Sequence, residues 1–95
     1  MDKRIGTVII LVRDKQVIAG LNQMISEHSD IVIGRQGIPF FNKDKEISLI
    51  SLVIYGDVDS LGSLTGKLGR LRGVSVKSAL LKNTESEKNG ADFEI

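Results

Sequence analysis

The 95 residues contain no cysteine and no tryptophan, and only one proline, one histidine, one tyrosine and three phenylalanines. Each scarcity removes a class of function. Without cysteine there is no disulfide framework, no thiolate zinc site and no cysteine-ligated iron–sulfur cluster. A lone histidine, His28, cannot build an imidazole-rich metal centre. Four aromatic side chains supply no strand-borne stacking platform of the kind that binds single-stranded RNA. Charge of one sign is missing as well: 13 basic and 12 acidic residues leave a net charge of +1, so the chain as a whole has no pull toward nucleic acid or membrane. No apolar run reaches membrane length. The opening Met1, Asp2, Lys3 and Arg4 lead straight into a strand pattern rather than a secretory signal, and a cytoplasmic protein is the expectation.

What is present is ordinary globular composition, 41% hydrophobic and 26% charged, in a length suited to one domain with a modest core. The longest apolar run, ISLISLVIY at residues 47–55, reads as the central strand of a sheet. Its alternate faces are Ile47, Leu49, Ser51, Val53, Tyr55 and Ser48, Ile50, Leu52, Ile54. Neither is polar enough to sit in water, so both need a cover. Residues 4–12 (RIGTVIILV) form a second strand of the same character.

Between these two strands, Asp14 is placed to cap a helix whose apolar positions are Val17, Leu21, Met24, Ile25 and His28. A further strand starts at Ile31. Gly34, Arg35, Gln36, Gly37, Ile38 and Pro39 disturb it and assign it to a sheet edge, because proline cannot donate to the ladder. Asn42, Lys43, Asp44 and Lys45 make a polar turn back into the central strand. After it, residues 57–60 offer helix caps, Leu61, Leu64, Leu68 and Leu71 form an apolar stripe, and Gly73 is suited to end the helix in the left-handed conformation. Residues 74–81 (VSVKSALL) are the last strand. Residues 1–82 therefore form the domain. Residues 83–95 have the polar composition of a flexible C-terminal tail, with Phe93 and Ile95 as a candidate docking tip.

The order strand, helix, strand, strand, helix, strand predicts an α+β, ferredoxin-like βαββαβ domain. Its four-stranded antiparallel sheet runs 4-1-3-2, with both helices on one face. The two most apolar strands then fall at the centre and the proline-bearing one at an edge. The other sheet face is left open, and its simplest cover is a second copy of the chain, giving a dimer or tetramer.

Four segments in this order also resemble a known family: GRQGIP at 34–39, ISLISLVIYG at 47–56, LTGKLG at 64–69 and GVSVKSA at 73–79. They are similar to the iron-only hydrogenase system regulators, and the resemblance spans about residues 4–81. It implies an ACT-like oligomer with a regulatory role, related to the ligand-binding domain of the nickel-responsive repressor. Two departures limit what transfers. That repressor domain uses several histidines and a cysteine, whereas this chain has His28 alone. ACT domains often place glycine in the turn after the first strand, whereas this turn reads Val12, Arg13, Asp14, Lys15. Neither a nickel site nor an amino-acid site is carried over, and no cofactor is expected.

Two candidate ligand-binding groups remain. One is Gly34, Arg35, Gly37 and Pro39, where the guanidinium could grip a small anion while the glycines allow close approach. Set against it is an edge-strand bulge with a solvated arginine. The other is Gly62, Gly66 and Gly69, which burden a helix with roughly 1 kcal/mol each relative to alanine and leave one side bare. Packing against another helix or subunit is the simpler use. Lys67, Arg70, Arg72, Lys77 and Lys82 form a run without an acid. Without a recognition helix or aromatic pair, that run reads as solvated surface, and nucleic acid is not the expected partner. His28, Ser29 and Asp30 hold the residue types of a hydrolase triad, but neighbours at a helix end cannot converge as nucleophile, base and orienter. The expected function is therefore a non-enzymatic regulatory domain that binds a ligand or partner as a homo-oligomer. The alternatives are a purely structural oligomerisation module and a nucleic-acid binder acting through the 67–82 run.

Overall fold

In the first strand, β1 (Arg4–Val12), the even positions Gly6, Val8, Ile10 and Val12 are buried while Ile5 and Ile9 are exposed, the period of two that a half-covered strand imposes. The computed structural model describes residues 2–42 and 47–82, and of 40–42 the backbone only. Within them β1 is followed by a 3-10 turn (Lys15–Val17), α1 (Ile18–Glu27), β2 (Val32–Asn42), β3 (Ile47–Gly56), α2 (Val58–Gly69) and β4 (Val74–Leu80). The polar turn at 43–46 and the tail at 83–95 lie outside the described residues.

The sheet order is β2-β3-β1-β4, all pairs antiparallel, as the sequence predicts. β1 and β3 pair without a register shift from Arg4↔Gly56 to Val12↔Ser48. That register puts Val8, Ile10 and Val12 of β1 on the same face as Ile50, Leu52 and Ile54 of β3. Leu21 and Ile25 of α1 and Leu61, Leu64 and Leu68 of α2 close over them in one core, so both helices lie on one side. Of the two faces of β3, the helices cover the even one, and Leu49, Ser51, Val53 and Tyr55 belong to the other.

Two glycines are fixed by geometry. A Cβ on Gly6 would stand 2.5 Å from the Ala79 carbonyl oxygen, so the crossing of β1 and β4 there requires bare backbone. Gly73 has φ +70°, and its carbonyl accepts from the Arg13 N–H at 2.8 Å, tying the start of β4 to the turn after β1.

Two details differ from the sequence reading. Asp14 caps the 3-10 turn rather than the α-helix itself: its Oδ1 accepts from the Gln16 N–H at 2.9 Å, and α1 starts at Ile18. α2 ends at Gly69 with Arg70 in right-handed conformation, so Gly73 shapes the turn into β4 instead of terminating the helix. β2 runs on through Pro39 as the disturbed edge strand that the sequence predicts, with register irregularities at Val32/Gly34 and, across Pro39, at Ile38/Asn42. An outermost strand tolerates this, since a proline there deprives no neighbouring strand of a donor.

Candidate functional site

Residues 34–39 lie along β2, the outermost strand next to β3. Arg35 pairs with Leu52, whose side chain belongs to the helix side, and from there Arg35 Nη2 donates to Asn22 Oδ1 on α1 at 2.6 Å. Gly34 pairs with Val53 on the uncovered side, where a Cβ would meet the Val53 side chain at an ordinary 3.5 Å. Gly37 has no atom within 4 Å of a would-be Cβ, and Pro39 is exposed. Arg35 and the glycine beside it thus serve opposite faces of one strand. The element able to orient the guanidinium is α1.

Gly62, Gly66 and Gly69 line the exposed side of α2, and among the described residues nothing from outside the helix comes within 4 Å of where their side chains would be. α2 packs on α1 and β4, at the opposite side of the sheet from β2. A single chain therefore does not bring the two candidate groups together.

The most extensive feature is the uncovered face of the sheet. Ile5, Ile9, Val53, Tyr55 and Ile38 are each 42–48% exposed. Pairings Ile5↔Tyr55, Thr7↔Val53, Leu11↔Leu49 and Ile38↔Leu49 join these positions across three strands. Lys77, opposite Ile9, sits on the β4 side of that face.

One arrangement was not visible in the sequence. Arg4, at the start of β1, comes under the N-terminus of α2, where with Asp2, Asp57, Val58 and Asp59 it lines an open cavity of about 200 Å³. Its Nε is buried without a hydrogen-bond partner. Asp57 accepts from the Ser60 N–H at 2.7 Å, and chiefly this bond holds its carboxyl below the usual aspartate range. Only the pairing Arg4↔Gly56 creates the arrangement, so fifty-two intervening residues hid it. Among the described residues no three His, Cys, Asp or Glu side chains converge as metal ligands. His28 Nδ1 lies 2.9 Å from the Met24 carbonyl oxygen, the helix-end role its position suggests.

Comparison with known proteins places this geometry. The model of the TM1266-like family, provisionally described as an iron-only hydrogenase system regulator, matches residues 4–78. The chain belongs to this family. The structure of the uncharacterized protein TM1266 from Thermotoga maritima is 32% identical with a TM-score of 0.77, covering 84% of this chain and 99% of that one. Two remoter structures share the fold alone. The C-terminal domain of the MgtC protein from Mycobacterium tuberculosis is 13% identical, with a TM-score of 0.66 over 90% of this chain and 96% of its own. An ACT domain protein from Streptococcus pneumoniae is 14% identical, with a TM-score of 0.56 over 81% and 89%. Among curated proteins none matches the chain. The ferredoxin-like, ACT-like architecture expected from the sequence is thus established. No helix among the described residues is long and apolar enough to cross a membrane.

Proposed function

We propose that this member of a hydrogenase-system regulator family is a non-enzymatic regulatory domain that works as a homo-oligomer assembled across the uncovered sheet face. The observation that carries the reading is the set Ile5, Ile9, Ile38, Val53 and Tyr55, large apolar side chains gathered on one face and left half exposed. A soluble monomer rarely displays so contiguous an apolar surface, and a self-complementary contact between two copies covers it on both at once. The regulatory input is a small anion, a carboxylate or phosphate, received at the outer side of β2. There Asn22 already aims the Arg35 guanidinium, whose remaining donors suit a bidentate grip. Gly37, on the same face as Arg35, leaves the backbone there open to close approach, and the glycine-lined side of α2 is a second boundary at which another subunit can approach.

The test has two parts. Solution mass at micromolar concentration should exceed that of one chain, and a monomer would remove the assembly. A thermal-shift screen of anionic metabolites should return a stabilising compound whose affinity, by calorimetry, falls for Arg35→Lys with the fold unchanged. Equal affinities would remove Arg35 from the site, and an empty screen would favour a purely structural oligomerisation module.

A further inference from the structure

The strand directions bring most of the described acids to one end of the sheet and a cluster of bases to the other. One end gathers the start of β1, the close of β3, the C-terminal end of α1 and the first turn of α2. The Ile31 carbonyl, just past α1, accepts there from the Tyr55 N–H at 2.8 Å. Asp2, Glu27, Asp30, Asp57 and Asp59 all fall at this end, with the bases Lys3, Arg4 and Lys82 beside them.

The other end holds the turn after β1, the last turn of α2 and the start of β4. It carries Arg13, Lys67, Arg70 and Arg72, all exposed, with Lys15 alongside. The Arg13 N–H to Gly73 carbonyl bond and the Arg13 Nη1 to Ser75 Oγ bond, both 2.8 Å, lock the two turns together just beyond the last sheet pairing, Val12↔Val74. Asp14 is the one acid there among the described residues, and its carboxylate accepts from the Gln16 N–H. This is not the acid-free run read from the sequence. Lys77 lies away on the sheet face opposite Ile9, and Lys82 follows Leu81, whose N–H donates to the Ile5 carbonyl at the acidic end. The fold drops those two and adds residues from more than fifty positions earlier.

What such a surface can recognise follows from what accompanies the charge. Among the described residues the exposed large hydrophobics are Ile5, Ile9, Ile33, Ile38, Val53, Tyr55, Val58 and Leu81, none of them in either turn. A folded protein partner needs an apolar or aromatic centre to its contact. A phosphate chain needs cations and room to approach them. Gly66 and Gly69 supply the room, with open space where side chains would hold a strand away.

We propose that this basic end is a nucleic-acid contact that grips the phosphate backbone without reading base sequence. It goes beyond the assembly proposed above and does not depend on it. Arginine provides three of the four cations and favours bidentate phosphate pairing, while the acids at the far end orient the molecule during approach.

The experiment is fluorescence anisotropy of a labelled duplex of about 25 base pairs against the intact protein. If all four cations neutralise phosphates, the log–log salt slope is about −3.6, and affinity falls roughly a hundredfold between 50 and 200 mM salt. The doubly substituted Arg70→Gln/Arg72→Gln protein should show a slope shallower by about two, and Lys67→Gln by about one. Lys82→Gln, a basic change at the opposite end of the sheet, should leave the slope alone. Circular dichroism checks that each variant folds, and a duplex of shuffled sequence should bind equally. Absence of binding at 50 mM salt would overturn the proposal, as would an unchanged slope in the double variant. Equal competition by polyglutamate at matched charge would also overturn it, pointing to an acidic polypeptide instead.

Discussion

Ile9 and Ile10 are neighbours in β1, 48% and 0% exposed, and the same substitution at each should have opposite consequences. Ile9 faces the uncovered side, with Lys77 directly opposite on β4, whereas Ile10 is sealed beneath the helices. Ile9→Glu places a carboxylate across from an ammonium, a cross-strand pair worth a few tenths of a kcal/mol, so the isolated subunit should melt within a few degrees of wild type. The assembly should not survive. Covering the exposed half of Ile9 contributes about 1 kcal/mol per subunit, taking half of the 1.5–3 kcal/mol for full burial. Trapping a carboxylate in the contact costs several more per ion. Counted on both copies, about 4 kcal/mol or more is lost, a weakening of at least about a thousandfold. Ile10→Glu instead removes a core side chain worth about 2–5 kcal/mol and buries an unpaired charge, enough to exhaust a total stability of about 5–15 kcal/mol. Sedimentation and thermal melts on the three proteins decide the matter. An Ile9→Glu protein with wild-type mass and normal melting would refute the sheet face as the interface. A folded Ile10→Glu protein would refute the register itself.

Gly73→Ala should lower the melting temperature by several degrees or more, since φ +70° costs a side chain about 1–3 kcal/mol and the new Cβ would stand 2.9 Å from that of Asp14; an unchanged melt would show that the turn relaxes. Asp57 has a folded pKa below its ordinary 3.8, because the Ser60 N–H binds its charged form. The stability it adds is complete above the unfolded value and disappears as pH falls through the folded one. Asp57→Asn should therefore flatten the loss of stability below about pH 4, and a parallel acid melt in both proteins would count against the cap. Truncation after Lys82 should leave mass and melting nearly unchanged, because the twelve core residues among those described lie between Val8 and Leu68; a melt lowered by many degrees would show that the removed segment contributes to the fold.

The architecture was legible because its signals are local and agree with one another. Apolar runs in the first and third strands predict central positions, Pro39 predicts an edge, and the cap candidates at 57–60 before the leucine stripe predict the start of α2. Which face of β3 is covered was not legible. Ile47–Tyr55 is apolar on both faces, and only the register Ile10↔Ile50 and Val8↔Leu52 shows that the even face meets the helices. Pro39 marked both the edge position of β2 and the break in its pairing between Ile38 and Asn42.

The candidate sites were less legible still, for a related reason. Glycine and proline announce backbone behaviour wherever they stand, so GRQGIP and the α2 glycines drew attention, yet β2 and α2 lie at different sides of the fold. A site made of charges carries no such mark. Arg13 belongs with Arg70 and Arg72 only because β1 and β4 run antiparallel and Gly73 accepts from the Arg13 N–H. Arg4 belongs with Asp57 only because β1 pairs with β3 from their opposite ends. The same antiparallel order that separates five acids from the basic turns would, with β4 reversed, have brought Lys82 to the basic end. The distribution of charge in this chain is thus a property of its topology. A sequence with the same +1 net charge and another strand order would present a different surface to every partner.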